Sequence, residues 1–184
     1  MVESVPESVS VDNMTGTYNM EKKISDDPQN ILKLQGVSWV VRTAISYSAV
    51  KMSLNQYTDD DGLIHLDMTT ESTGGLTNTE ERTMAWQFKE ANDKVFGEVK
   101  SRSRIIKFSE LPADLPAQLK QGWDKEIEEG NVFQNYVESL KNGWNAHQLW
   151  GFGVKDGARR HMRKVVVTKG DQVESITMYY DWAE

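Results

Sequence analysis

The sequence contains no cysteine, only four prolines and no apolar run long enough to cross a membrane as a helix. Without cysteine the chain has no disulfide, no thiolate metal site and no cysteine nucleophile. A membrane-spanning helix needs about 20 consecutive apolar residues, so we predict no membrane span. Residues 1–13 are polar and acidic and lack the basic start and apolar stretch of a secretory signal, which favours a cytoplasmic protein.

Positive charge is also scarce. The chain has 21 Lys and Arg against 28 Asp and Glu, giving a formal net charge of −7. A general nucleic-acid-binding protein presents a basic surface, so that class is disfavoured. The cations concentrate in residues 100–107 and 159–164, which we interpret as solvated strand faces. Hydrophobic residues make up 38% of the 184 residues, which suits one packed domain.

Recognisable catalytic and cofactor motifs are missing as well. His65, His147 and His161 do not have the spacing of metal ligands. The segment Gly151-Phe152-Gly153 is followed by Asp156 where a dinucleotide motif needs its third glycine. No phosphate loop and no Gly-x-Ser-x-Gly nucleophile elbow occurs. The sequence therefore predicts neither a metal site nor a cofactor.

Turn signals and alternating apolar residues divide most of the chain into strands. After residue 48 hydrophobic and polar residues largely alternate, which is typical of half-buried strands joined by short turns. Closing such a meander into a barrel hides its edges, although a β-sandwich is an alternative. We predict a mainly β fold, an antiparallel up-and-down β-barrel of about nine to ten strands. Its predicted parts are a flexible tail (1–12), one barrel domain (13–184), a helical lid (26–48) and a helical insertion (109–130).

The first half of the chain resembles the calycin superfamily, the fatty-acid-binding proteins and lipocalins. Gly16-Thr17-Tyr18 is similar to the entry of their first strand, and Leu34-Gln35-Gly36-Val37 followed by Arg42 is similar to the helical lid of fatty-acid-binding proteins. The best-matched region is Thr15 to Ile106, about half of the chain. The resemblance implies a barrel that binds a hydrophobic small molecule.

The second half departs from that family in one respect. Fatty-acid-binding proteins end with an Arg-x-Tyr pair that grips a carboxylate, whereas residues 177–180 read Thr-Met-Tyr-Tyr, which argues against simple fatty-acid carriage. This half instead resembles small uncharacterised fungal lipocalin-like proteins. The segments that carry this resemblance are 136–139, 142–144, 150–152 and 165–170.

The turn at Asn92-Asp93 predicts which residues of the neighbouring strands face inward. A two-residue turn there pairs Phe88 with Gly97, Trp86 with Val99 and Met84 with Ser101. Because Met84, Trp86 and Phe88 are apolar, their side should be the interior. Arg102 and Arg104 then face water.

The turn at Asp156-Gly157 gives the same kind of prediction for the C-terminal half. It pairs Trp150 with Arg163 and Phe152 with His161, and the apolar side should again be the interior. The next turn, Gly170-Asp171, is read as placing His161 opposite Tyr179 and Arg163 opposite Thr177. An error of one residue in either register would instead place these polar side chains on the surface.

An arginine, a histidine and a tyrosine inside an apolar barrel are costly to bury, so we interpret them as a site. His161, Arg163 and Tyr179 are the candidate catalytic residues. The predicted ligand-binding residues are Met52, Leu54, Leu66, Met68, Met84, Trp86, Phe88, Val99, Ser101, Trp150, Phe152 and Thr177.

Three functions are consistent with this site. The first is a carrier or sink for a hydrophobic or amphipathic small molecule held in the barrel. The second is a cofactor-independent isomerase, cyclase or dehydratase acting on a natural-product intermediate, with the histidine and tyrosine moving a proton and the arginine holding an oxygen. The third, less favoured, is a protein-interaction domain that uses the insertion.

Overall fold

The computed structural model describes residues 3–183. Within them the chain forms ten strands and four short α-helices. In chain order these elements are β1 (Gly16–Met20), α1 (Gln29–Leu34), α2 (Trp39–Tyr47), β2 (Val50–Thr58), β3 (Ile64–Ser72), β4 (Leu76–Thr83), β5 (Lys89–Asp93), β6 (Gly97–Lys107), α3 (Ala117–Lys120), α4 (Lys125–Glu128), β7 (Asn131–Ser139), β8 (Asn145–Lys155), β9 (Ala158–Lys169) and β10 (Gln172–Trp182).

All ten strands belong to one antiparallel sheet in the order β4-β3-β2-β1-β10-β9-β8-β7-β6-β5. The sheet curls into a half-barrel, which confirms the predicted fold class. Within the described part of the chain, β4 and β5 form no ladder with each other, so the wall has a seam between them. No helix of residues 3–183 is both long and apolar enough to span a membrane.

The two helices after β1 close one end of the barrel, as predicted. α1 buries Ile31 and Leu32 against the sheet, whereas α2 buries no residue. Gly36 ends the first helix with φ +84°, a conformation that favours glycine. Arg42 of α2 donates a hydrogen bond of 2.7 Å to the carbonyl of Val37 and another of 3.3 Å to Oε1 of Gln29, and the second of these links α2 to α1.

The N-terminal segment is packed, in contrast to the flexible tail expected over residues 1–12. Val5, Val9 and Val11 are buried in the same core cluster as Tyr18 and Phe152. Arg159 holds the segment in place by donating hydrogen bonds of 2.8 Å to the carbonyls of Pro6 and Val9. Within residues 3–12 the segment therefore closes the end of the barrel opposite the lid.

The insertion covers the outer surface of the sheet. α3 and α4 contact β7, β8 and β9, and the insertion buries Leu119, Trp123 and Ile127. Gly151 on β8 allows this close approach, because a Cβ there would lie 2.7 Å from Cδ1 of Ile127. The insertion is thus part of the outer wall of the barrel and does not lie over the lid.

The register of β8 and β9 is as predicted, with Trp150 opposite Arg163 and Phe152 opposite His161. The register of β9 and β10 differs by one residue. The turn lies at Gly170-Asp171, as predicted, and it pairs Lys169 with Gln172. Counting along the ladder from that pair places Tyr180, not Tyr179, opposite His161, and Met178, not Thr177, opposite Arg163. Tyr179 and Thr177 therefore lie on the outer face, so their predicted inward orientation is wrong.

The predicted register of residues 84–101 is also wrong. The β5–β6 turn is longer than two residues, so Asp93 pairs with Gly97 and Lys89 with Ser101. The strand before it, β4, ends at Thr83, and residues 84–88 form a connection that crosses the seam. Within this connection Trp86 has φ +56°, which breaks the alternation that the sequence pattern suggested.

Candidate ligand cavity

A cavity of about 740 Å³ lies between the lid and the inner face of the sheet. Towards the lid its wall is apolar, with Ile31, Leu32, Val165 and Ile176 among its members. Polar side chains come together elsewhere in the wall. Among them are Glu80 and Arg82 from β4, Gln148 from β8, Arg163 from β9 and Tyr180 from β10. The cavity therefore has an apolar part near the lid and a polar part where these side chains meet.

Arg163 is the most unusual member of this wall, because it is a buried cation without a carboxylate partner among the described residues. Its Nε donates a 3.1 Å hydrogen bond to Nε2 of His161, and its Nη2 contacts the sulfur atoms of Met52 and Met68. Its Cζ lies 3.5 Å from the ring centre of Trp150. Burial lowers the pKa of Arg163 to about 10, so the guanidinium is still charged at neutral pH.

His161 accepts a hydrogen bond from Arg163 on the side away from the cavity, and it does not line the cavity itself. Its side chain is fully buried among the rings of Tyr18, Phe152 and Tyr180. Burial, with the nearby Arg163 charge, holds the pKa of His161 well below its usual value. Since Nε2 accepts the hydrogen bond from Arg163, the imidazole is neutral and carries its proton on Nδ1. His161 therefore orients the guanidinium and has no open path to a ligand.

Gln148 presents a second hydrogen-bond donor to the cavity. The indole Nε1 of Trp150 donates a 3.0 Å hydrogen bond to Oε1 of Gln148. An indole N–H can only donate, so the amide must turn its oxygen to Trp150 and its NH₂ group elsewhere. Neither that NH₂ group nor Nη1 of Arg163 has a protein partner within residues 3–183. These two groups are available to bind an oxygen atom of a ligand.

An ion pair on β4 completes the polar part of the wall. Glu80 accepts hydrogen bonds from Arg82 and Asn78, and Cζ of Arg82 lies 5.3 Å from the ring centre of Trp150. Glu80 is paired across the ladder with Met68, which itself contacts Arg163. The carboxylate, the two guanidinium groups and the indole therefore share one region of the cavity.

The predicted site residues fall into three groups. The cavity wall contains Met68, Val99, Ser101, Trp150 and Arg163. Others belong to the core next to the cavity or pack against it, namely Met52, Leu54, Leu66, Met84, Phe152 and His161. The remaining four lie on the outside of the barrel or on the connection across the seam, and these are Trp86, Phe88, Thr177 and Tyr179.

Sequence reasoning missed Glu80, Arg82, Gln148 and Tyr180. β4 was overlooked because the segment Leu76–Thr83 is almost entirely polar and lacks apolar alternation. The β3–β4 loop is the three-residue segment Thr73-Gly74-Gly75, which pairs Ser72 with Leu76 and Met68 with Glu80. A two-residue turn at Gly74-Gly75 would instead have paired Met68 with Glu81, so the turn signal alone did not identify Glu80 as inward.

Two full-length relatives are fungal proteins. The chain is 29% identical to the probable pericyclase scpY of Mollisia scopiformis, covering 97% of this chain and 94% of the relative. It is 25% identical to the pericyclase pydY of an Acremonium species, covering 97% and 96%. No protein-family model matches the chain.

Solved structures decide the fold. The REP1-NXSQ fatty acid transporter aligns with a TM-score of 0.55 at 14% identity, covering 93% of this chain and 96% of that one. Fatty-acid-binding protein 1 of Echinococcus granulosus aligns with a TM-score of 0.55 at 16% identity, covering 93% and 98%. The chain has the calycin fold.

Proposed function

We propose that this protein is a cytoplasmic, cofactor-independent pericyclase. In this proposal it encloses an extended, largely apolar substrate that carries a conjugated carbonyl group, and it promotes a concerted ring closure. Full-length similarity to two proteins named pericyclases supports the reaction class. The observation that carries the proposal is the pair of unpartnered donors, Arg163 and Gln148, in a cavity whose wall near the lid is apolar.

A pericyclic ring closure requires no nucleophile and no external electron source, since bonds form and break in one cyclic step. The enzyme must fold the substrate into its reactive shape and stabilise the change in charge. The apolar wall near the lid would hold the hydrocarbon part and exclude water. Arg163 and Gln148 would bind the carbonyl oxygen and draw electron density from the attached double bond.

The size of the electronic contribution follows from the charge on Arg163. A hydrogen bond to a charged group contributes about 1.5–3 kcal/mol, which is roughly a tenfold to hundredfold effect on rate or affinity. Holding the two reacting ends together in one conformer contributes more than this in well-oriented systems. We therefore expect the shape of the cavity to supply most of the acceleration and the arginine to supply a smaller part.

The experiment is a kinetic comparison on synthetic linear trienes with a tethered α,β-unsaturated ketone. Each is incubated with and without protein, and the loss of the conjugated triene and the stereochemistry of the product are followed. We expect acceleration of at least about a hundredfold and a single dominant diastereomer for substrates that fit. Rates and product ratios equal to the background across the whole series would contradict the proposal.

A carrier function is the second candidate, and the calycin fold shared with fatty acid transporters favours it. A carrier would bind a conjugated tetraene fatty acid or the trienes above and release them unchanged. Binding seen by quenching of tryptophan fluorescence, together with complete recovery of every triene, would select the carrier over the enzyme.

A further inference from the structure

We propose that Glu80 is a catalytic base, and that the cavity also isomerises β,γ-unsaturated carbonyl compounds into their conjugated isomers. This second activity rests on the proposed binding of a substrate carbonyl by Arg163 and Gln148. It would prepare the conjugated system that the ring closure consumes. It uses a carboxylate that a pericyclic step leaves without a role.

The first observation is the position of Glu80. It lies on the inner face of β4, opposite Met68, and Met68 Sδ lies 3.3 Å from Nη2 of Arg163. The Glu80 side chain is 35% exposed within the cavity wall, so the carboxylate remains accessible to a ligand.

The second observation is how Glu80 is held. Arg82 and Asn78 donate hydrogen bonds to its two oxygens, which fixes the direction of the carboxylate. The same Arg82 lies over Trp150, whose other guanidinium neighbour is Arg163. A fixed carboxylate beside two oxygen-binding donors is the arrangement that proton transfer next to a carbonyl requires.

The chemical step balances without any added reagent. Glu80 takes a proton from the carbon between the carbonyl and the double bond, and the electron pair of that C–H bond moves into the carbonyl system. The resulting dienolate oxygen is stabilised by Arg163 and Gln148. Protonated Glu80 then returns the proton to the γ carbon, so the double bond moves into conjugation and the carboxylate is restored.

The test uses a long-chain β,γ-unsaturated methyl ketone in D₂O, followed by NMR and by the absorbance of the conjugated product. We expect conjugation that is faster than without protein, with deuterium at the γ carbon whenever protonated Glu80 exchanges with D₂O before it returns the proton. Glu80→Gln should lower this rate by roughly a hundredfold or more, because general base catalysis contributes about 10²–10⁴. The isosteric amide keeps the hydrogen bond from Arg82, so ketone binding by tryptophan quenching should be little changed.

Glu71→Gln is the matched control, since Glu71 is an exposed carboxylate on the outward face of the adjacent strand β3. It should keep the full isomerisation rate. Equal rates for the Glu80→Gln variant and the parent would overturn this inference while leaving the ring-closure proposal standing. A ketone that does not bind to the parent would overturn the proposed carbonyl site, and this inference would fall with it.

Discussion

At the scale of single residues, Arg163 has opposite effects on folding and on binding. Its charge lies in a wall built from two thioethers, an indole and a neutral imidazole, with no carboxylate in contact among the described residues. Burial of such a charge is costly, and hydrogen bonds to soft partners offset only part of that cost. A residue that costs stability in this position is expected to contribute to ligand binding.

We expect Arg163→Met to leave the free energy of unfolding unchanged or higher, because an apolar side chain of similar length replaces a buried cation. Binding of a long-chain α,β-unsaturated ketone should weaken by about tenfold to a hundredfold. Urea denaturation and fluorescence titration measure the two quantities. Arg102→Met is the control, since Arg102 lies on the outer face against Trp86 and Phe88 and should not affect binding. Loss of binding in the control alone would show that the site is misplaced.

His161 should make stability depend on pH. Its folded-state pKa is lowered, so below about pH 6.5 the unfolded chain binds a proton that the folded chain does not. The free energy of unfolding should therefore fall as the pH drops below that value, by at most about 1.4 kcal/mol per pH unit for this one group. His161→Gln should reduce the slope between pH 5 and 7. Half-buried His147, whose pKa burial also lowers, keeps a residual slope of the same sign.

At the scale of elements, the connection between β4 and β5 shows where pattern reading fails. The apolar residues Met84, Trp86 and Phe88 are spaced two apart, which predicts a strand with an apolar inner face. The cations of β6 reverse this expectation: Arg102 and Arg104 lie 4.3 and 4.1 Å from the ring centre of Trp86, and this holds the aromatic side chain on the outer face. An alternating pattern indicates two faces but does not identify the inner one.

Phe88→Ala and Phe152→Ala should therefore differ in cost. Phe88 is 44% exposed and stacks with cations, so its loss should cost about 1 kcal/mol or less. Phe152 is fully buried, and its loss should cost about 3–5 kcal/mol. Chemical denaturation of the two variants side by side measures both. Equal losses of stability would show that Phe88 is buried in the core, as the sequence pattern predicted.

The contact between the insertion and the sheet can be tested by a double-mutant cycle. Gly151→Ala alone should destabilise, because the new methyl group would lie 2.7 Å from Ile127. In the Ile127→Ala background the same change should cost less, since the closest contact is then removed and only Trp123, at 3.0 Å, remains. Additive free energies of unfolding in the double variant would show that the two residues do not touch in solution.

At the scale of the whole molecule, the sequence was sufficient for the barrel class, the helical lid and the inward arginine. Turns such as Asp156-Gly157 determine a register within a hairpin, and Arg163 was placed correctly on that basis. Glu80 and Gln148 could not be selected in the same way. Their importance depends on partners from distant strands, Arg82 and Trp150 among them, which no local pattern connects.

The packed N-terminal segment has a consequence for the order of folding. Its anchors are supplied late in the chain, since Arg159 binds the carbonyls of Pro6 and Val9, and Trp182 donates a hydrogen bond to the carbonyl of Glu3. The residues synthesised first can therefore be placed only after the last hairpin has formed. Removing residues 1–12 should accelerate unfolding and leave the refolding rate nearly unchanged, because contacts made after the transition state act on the unfolding rate alone. Both rates can be measured by stopped-flow mixing. Slower refolding of the shortened protein would show that the segment packs before the transition state and would contradict this order.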